Sequence, residues 1–221
     1  SHTLEPVDLP EQAAVDHFLP PYQATYKLDP EAPHVFNAIV DAKEFTRMRR
    51  QAQEDMVNAL VVIQDIDTAF QDTLGRSYGL LETYRLEDAE VVMVAMGAAC
   101  GTAKDVVDEL RDQDTKVGLV RIRVFRPFPI THLRKLLSGK RKVAVLDQAV
   151  SRGSGGILSQ EVKQALFHDH HFHSKDMPQV FSYIAGIGGL DITPKMLKRV
   201  FEETLRARDS QTEACWMEAS A

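Results

Sequence analysis

Three glycine-rich turns are the stretches of this chain whose composition best suits ligand binding. They lie at 97–101, 153–156 and 186–189, and each follows an apolar segment typical of a buried strand. In an open α/β sheet such turns line the carboxyl edge of the strands, where helix N-termini can hold a phosphate. The candidate anion site consists of Gly153, Ser154, Gly155 and Gly156, flanked by Arg152.

The same turns also have a purely structural interpretation. None of them matches G-x-G-x-x-G or the P-loop pattern G-x-x-x-x-G-K-[ST], and a tight strand-to-helix turn needs glycine for its backbone alone. The sequence therefore leaves a nucleotide or coenzyme A phosphate site open but favours the structural role.

A cysteine and a histidine run complete the candidates for chemistry. Cys100 stands near a predicted helix N-terminus that could lower its pKa, but no nucleophile motif surrounds it, so we expect a small buried residue. The run His168, His170, His171 and His173 could bind zinc or iron, or could complement a helix dipole in a loop. No carboxylate or thiol completes a ligand set, so the loop is favoured. We predict no metal site and no catalytic residue.

Apolar periodicity predicts an α/β domain around the glycine turns. Strands are predicted at 91–96, 117–124, 142–147 and 179–185. They alternate with helical patterns, so the predicted fold is an open, mostly parallel sheet with helices on both faces. Arg121 and Arg123 share one side of the second strand, which indicates an edge strand or a face turned toward another domain.

Capping residues predict where two of the helices begin. Thr102, with Asp105 at the capping-box position, predicts a helix from Thr102 to about Gln113. Thr193 and Pro194 predict the start of the last helix. Its buried stripe should be Leu197, Val200, Phe201 and Leu205.

The first third of the chain predicts an extended tether and then a long helix. Residues 1–35 carry prolines throughout, among aromatic and aliphatic side chains, so we expect an ordered extended segment. Residues 36–75 predict an amphipathic helix that braces two domains or two subunits. Its apolar stripe is Phe45, Met48, Ala52, Met56, Leu60, Ile63, Ile66 and Phe70. The tail at 209–221 is expected to fray unless Trp216 anchors it.

Composition excludes several classes of protein. A net charge of −6 over 221 residues disfavours nucleic acid as the main partner, and no apolar run is long enough to cross a membrane. The two cysteines, Cys100 and Cys215, are too few for an iron–sulfur cluster or a disulfide framework. No secretory leader is evident, so we expect a cytoplasmic protein. The lack of an initiating Met suggests that the chain begins partway through a larger protein.

Several segments closely resemble the alpha subunit of pyruvate:ferredoxin oxidoreductase (pyruvate synthase). They are 75–79, 94–102, 120–129, and 145–147 with the later 153–156. The run Arg-Val-Phe-Arg-Pro-Phe-Pro at 123–129 is fairly specific. The resemblance covers nearly all of this chain, but only the back portion of that subunit.

The resemblance implies both a domain plan and a reaction. Residues 1–35 would end the pyrimidine domain, 36–75 would form a connecting helix, and 85–208 would resemble the C-terminal domain of transketolases. The implied reaction is reversible, coenzyme A-dependent oxidative decarboxylation of pyruvate to acetyl-CoA, with electrons passed through iron–sulfur clusters to ferredoxin. Thiamine diphosphate and Mg²⁺ would lie between the front half of alpha and the beta subunit, with clusters on gamma and delta subunits.

The family's cofactor signature is missing from this chain. It has no G-D-G sequence, and its only asparagines are Asn37 and Asn58. We therefore expect no cofactor in this chain, which would be inactive alone and would hold its partner subunits, or a second copy, in register. The 126–129 turn either docks the domain or is a proline-fixed loop. A stand-alone nucleotide- or coenzyme A-binding module is the alternative, and the choice of 2-oxoacid stays open.

Overall fold

A computed structural model describes residues 7–36, 39–167, 177–209 and 213–217. The chain divides into two compact units, Ser1–Tyr78 and Gly79–Ala221. Of the helices that the structure describes, none is both long and apolar enough to cross a membrane.

The described part of the first unit contains two helices. In α1 (Gln12–Phe18), the ring of Phe18 packs edge-to-face on Phe70 at a centroid distance of 5.3 Å. The expectation that 1–35 is extended is wrong for the residues of α1, because Pro10 and Pro20 flank this helix and lie outside it.

The predicted long helix is α2 (Ala42–Leu74), with 33 residues and a length of about 50 Å. The side chain of Asp41 caps its start by accepting a hydrogen bond from the backbone N–H of Glu44, at 2.7 Å. Gly75 ends it in the left-handed conformation, at φ 70°. The helix is confirmed, but no residue of α2 is buried, so its predicted apolar stripe does not form part of a core within this chain.

The described part of the second unit is built on a six-stranded sheet. Its strands are β1 (Leu81–Tyr84), β2 (Val91–Met96), β3 (Val117–Ile122), β4 (Lys142–Asp147), β7 (Gln179–Ile184) and β8 (Cys215–Trp216). Between β4 and β7 in sequence, β5 (Val150–Ser151) and β6 (Gly155–Gly156) pair as a small hairpin. The sheet order is β1-β3-β2-β4-β7-β8. Every pair is parallel except β1 with β3, which confirms the predicted fold class.

Helices cover both faces of this sheet. They are α3 (Ala99–Arg111), α4 (Ile130–Leu137), α5 (Ile157–Phe167) and α6 (Pro194–Arg206). Met93 of β2 packs in the core under α3 and α6, whereas its neighbours Val92 and Val94 pack under α4 and α5. Burial on both sides explains why β2 is apolar throughout.

Two helix predictions need correction. α3 begins at Ala99, so Thr102 is not its N-cap. The helix begins earlier than predicted because Gly97, at φ 67°, turns the chain directly out of β2. Cys100 therefore already lies on the buried face of α3. Thr193 does cap α6 by accepting a hydrogen bond from the N–H of Met196. Leu205 is exposed, however, and Thr204 is buried in its place.

Two strand predictions are also wrong. β3 is not an edge strand, because the unpredicted strand β1 pairs with it and carries Glu82 opposite Arg121. In the tail, Cys215–Trp216 forms β8 against β7, and Met217, not Trp216, is the residue buried in the core.

Candidate functional site at the carboxyl edge of the sheet

The strand order reverses direction between β2 and β4. The chain leaves β2 through α3 to reach β3 on one side, then crosses through α4 to reach β4 on the other side of β2. Open α/β sheets bind their ligands at this kind of switch point, outside the carboxyl ends of the strands. The crevice beyond Met96 and Asp147 is therefore the expected position of a site.

A largely apolar cavity of about 300 Å³ occupies this crevice. Its lining residues are Met96, Phe125, Leu146, Asp147, Gln148, Ala149, Ile157 and Leu158. Phe125 packs edge-to-face on Phe128 at 6.0 Å, and the guanidinium of Arg126 lies 4.2 Å from the centroid of the Phe125 ring. Arg126 also contacts Glu161 of α5 at 2.6 Å. The 126–129 turn is thus fixed against its own domain beside the cavity.

Asp147 is the buried ionisable group of this crevice. Its Oδ1 accepts a hydrogen bond from the N–H of Leu158 at 2.6 Å, and its Oδ2 accepts one from the N–H of Ser159 at 3.0 Å. Burial raises the pKa of the Asp147 carboxyl, while the two backbone donors oppose that shift. The carboxylate therefore occupies the N-terminus of α5, where a bound phosphate would need those N–H groups.

The candidate anion-site residues surround this cap. Gly153 and Ser154 are exposed, Gly155 is half-buried at φ 98°, and Gly156 is buried. The N–H of Ser154 donates to the carbonyl of Ser151 at 2.9 Å and so serves the β5–β6 hairpin. The structure thus brings these residues together as a turn, and an anion bound to them stays a prediction.

A second cavity, of about 500 Å³, lies between this turn and β7. Lys163 and Ser182 line it together with the glycine turn. Among the described residues, the buried hydroxyl oxygen of Ser182 has no hydrogen-bond partner. A small polar or anionic ligand could supply one.

A charged cluster that the sequence did not predict lies where β1 and β3 meet α3. Glu82 contacts Lys104 closely, Arg123 at 2.5 Å and Arg121 at 3.5 Å. The hydrogen bond from Lys104 is the main reason why the pKa of Glu82 is lowered, although burial opposes it. One carboxylate thus holds three cations together.

Cys100 lies beside this cluster as a buried residue of α3. Burial raises the pKa of its thiol to about 11, and the nearby cations Arg121 and Lys104 do not overcome this effect. A buried thiol with a raised pKa is typical of an inert core cysteine. The expectation that Cys100 is a small buried residue is confirmed.

The remaining candidate, the run His168, His170, His171 and His173, lies outside the described residues. Within the part of the chain that the structure describes, no group of three or more His, Cys, Asp or Glu side chains is arranged to hold a metal.

Comparison with known proteins finds a family profile and several relatives with similar sequences. The family profile described as "Pyruvate:ferredoxin oxidoreductase core domain II" matches residues 89–197. Pyruvate synthase subunit PorA of Methanothermobacter thermautotrophicus is 38% identical over 212 residues, which cover 96% of this chain and 53% of that protein. The PorA subunit of Thermotoga maritima is 39% identical over 206 residues, which cover 93% of this chain and 51% of that protein.

A relative with a different name is similarly close. The alpha subunit of the NADH-dependent phenylglyoxylate dehydrogenase of Aromatoleum evansii is 34% identical over 224 residues, which cover 96% of this chain and 52% of that protein. The chain thus spans about half the length of the curated relatives that it matches.

Proposed function

Because the chain belongs to the alpha-subunit family of the pyruvate:ferredoxin oxidoreductases, we propose that it supplies the non-catalytic domain that assembles and positions the subunits of a 2-oxoacid:ferredoxin oxidoreductase. The complete enzyme would convert pyruvate and coenzyme A reversibly to acetyl-CoA and carbon dioxide, and would pass two electrons to ferredoxin. The complex would work in the cytoplasm.

The observation that carries this proposal is the hydrogen-bonded cap at the start of α5. In a nucleotide-binding α/β domain the N–H groups at this edge are free to receive phosphate. Here Leu158 and Ser159 donate theirs to Asp147. An incoming phosphate would meet a carboxylate at that position, and two anions at close range repel each other. This favours a structural role for the glycine turn.

The residues present do not fit the cofactors of the complete enzyme. A thiamine diphosphate–Mg²⁺ site of this family uses G-D-G, which the 221 residues lack, and two cysteines cannot hold a four-thiolate cluster. Thiamine diphosphate, Mg²⁺, the clusters and coenzyme A would therefore be held by the front half of alpha and by beta, gamma and delta subunits. Holding those parts in register is itself a contribution to rate, because small misplacements of reacting groups are costly.

Reconstitution tests this proposal. We expect the isolated chain to show no pyruvate-dependent reduction of an artificial electron acceptor when thiamine diphosphate, Mg²⁺ and coenzyme A are supplied. Combined with the front half of alpha and the other subunits, it should restore activity that those parts lack without it. Decarboxylation of pyruvate by the isolated chain would contradict the division of labour.

A stand-alone nucleotide- or coenzyme A-binding module is the second candidate function. The unpartnered Ser182 hydroxyl and the nearby Lys163, both lining the 500 Å³ cavity, are the observations in its favour. Calorimetric titration with coenzyme A and ADP separates the two candidates. Micromolar binding that Lys163→Gln weakens would support the module, and no binding would support the assembly role.

A further inference from the structure

One hydroxyl group of β7 lies on an otherwise apolar face of the sheet. Ser182 alternates with Val180 and Ile184 on the side that α5 covers, and it lies beside Val145 of β4. Ser182 is only 7% exposed, and its hydroxyl oxygen has no hydrogen-bond partner among the described residues. Burying a hydroxyl without a partner is costly, and proteins usually remove this cost with a water, an ion or a ligand.

Ser182 lines the cavity of about 500 Å³ between β7 and the glycine turn. This volume falls within the range of about 300–1,000 Å³ that is usual for small-molecule sites. Ile184 and Trp216 contribute apolar surface to the cavity, and more than half of Trp216 is exposed. An aliphatic or aromatic group of a ligand would therefore find a surface to pack on.

The charged residues in the lining of this cavity are one of each sign, Lys163 of α5 and Glu213 just before β8. Within the described ranges, neither of them forms an ion pair within 4 Å, with the other or with any third residue. The charge of Lys163 also acts on Asp147, but that carboxylate already accepts two backbone N–H groups. One cation and one carboxylate thus line the cavity without a partner at close range.

This charge pattern selects the class of ligand. A zwitterion can pair its carboxylate with the lysine and its ammonium group with the glutamate. A polyphosphate fits less well, because Glu213 would repel it and a single lysine would have to offset several negative charges.

We propose that the cavity binds a free α-amino acid with an apolar side chain. Lys163 pairs with the α-carboxylate, Glu213 pairs with the α-ammonium group, and Ser182 supplies its hydroxyl to the polar end of the ligand. The apolar side chain packs on Trp216. This binding function is separate from the assembly role, and neither depends on the other.

The fluorescence of Trp216 reports binding directly, because it is the sole tryptophan of the chain and lines the cavity. We expect L-phenylalanine and L-leucine to bind the 221-residue chain with a Kd below about 1 mM, measured by this fluorescence and independently by calorimetry. 3-Phenylpropionate lacks the ammonium group and 2-phenylethylamine lacks the carboxylate, so each should bind at least about tenfold more weakly than L-phenylalanine. A Kd above about 1 mM for both amino acids would overturn the proposal.

Variants of the two charged residues test which end of the ligand each one binds. Lys163→Gln should weaken L-phenylalanine about tenfold or more but should not weaken 2-phenylethylamine. Glu213→Gln should weaken L-phenylalanine to a similar extent and should strengthen binding of 3-phenylpropionate, because a repelling carboxylate is removed.

Lys195→Gln and Glu87→Gln are the matched controls. Both residues are exposed and lie outside the lining of the cavity, so each control removes the same charge elsewhere on the second unit. They should leave every binding constant within about twofold. Equal effects of the cavity variants and the controls would place the ligand elsewhere and overturn the proposal.

Ser182→Ala tests the buried hydroxyl. It should weaken L-phenylalanine by about three- to tenfold, whereas the chain without ligand should keep its urea midpoint, because the lost hydroxyl has no partner there. An unchanged binding constant would remove Ser182 from the site and overturn the assignment. Displacement of L-phenylalanine by micromolar ADP would also overturn it, in favour of a nucleotide site.

Discussion

The carboxylate of Asp147 lies so close to the Cα of Gly156 that a methyl group there would stand 2.1 Å from Oδ2. Gly156 has no left-handed backbone angle, so it is the neighbouring carboxylate and not φ that requires glycine at this position. The contact lets Asp147, at the end of β4, reach the first N–H groups of α5.

Gly156→Ala should therefore destabilise the domain. The added methyl group must displace Asp147 from the helix cap, and we expect a loss of about 1–3 kcal/mol in the free energy of unfolding. Gly101→Ala is the matched control, because Gly101 lies in α3 and a methyl group on its Cα would meet nothing within 4 Å. It should be neutral or stabilise by up to about 1 kcal/mol. Equal urea midpoints for the two variants would contradict the steric explanation.

Asp147→Asn should also destabilise, because an amide offers one acceptor where two backbone donors need two. We expect a loss of about 1–3 kcal/mol at neutral pH. Burial raises the pKa of Asp147, so the folded protein binds this proton more tightly than the unfolded chain does. The stabilisation that comes from this tighter proton binding is complete below the pKa of Asp147 in the unfolded chain. It is lost as pH rises through the pKa of Asp147 in the folded protein. Unfolding of wild type and variant across the acidic range should therefore show the difference widening as pH falls.

The sequence predicts those parts of the fold that a local pattern, such as an apolar run or a capping residue, indicates within one segment. β2, β4 and β7 are apolar runs, and Thr193 with Pro194 begins α6 by local hydrogen bonding. β1 and β8 are short, and they are strands only because β3 and β7 offer them open edges, which no local pattern records.

The candidate site was predictable to a similar extent. Its location followed from glycine turns after strands, but the role of Asp147 depends on a contact across 11 residues with Leu158. The sequence feature that could have predicted this role is an acidic residue at the end of an apolar strand, just before a glycine-rich turn. Glu82 gave no such signal, since its three cations come from α3, from β3 and from the residue that follows β3.

Glu82→Gln should destabilise the β1–β3 pair in a pH-dependent way. The hydrogen bond from Lys104 is the main cause of the lowered pKa of Glu82, so the folded state favours the carboxylate. The contribution, about 1–3 kcal/mol, is present above the unfolded pKa near 4.5 and is lost as pH falls through the lower, folded value.

Glu90→Gln is the control for this variant. Glu90 is 53% exposed on its side chain and meets Lys116 and Arg141 only at 3.9 Å. It should change stability by less than about 0.5 kcal/mol at any pH. If the two glutamine variants showed the same pH profile, the cluster around Glu82 would have no special role.

The two thiols should differ in their reaction with a disulfide reagent. Cys215 is partly exposed, whereas Cys100 is fully buried with a pKa of about 11. In the native protein at mildly alkaline pH we expect Cys215 to react slowly and Cys100 to react only after denaturant is added. Fast labelling of Cys100 in the folded chain, identified by peptide mass, would contradict its assignment as an inert core residue.

Met217→Ala should destabilise the domain more than Trp216→Ala, although tryptophan is the larger side chain. Met217 is 4% exposed and packs in the core with α3 and α6, and its N–H donates to the carbonyl of Ile184 at 2.8 Å. Removing its side chain leaves a cavity and should cost about 2–4 kcal/mol. Trp216 is 55% exposed, so its removal should cost less than about 1 kcal/mol. Because Trp216 is the sole tryptophan, unfolding of both variants is best followed by circular dichroism. A larger loss of unfolding free energy in Trp216→Ala would contradict this prediction. It would show that the exposed ring, and not Met217, holds β8 on the sheet.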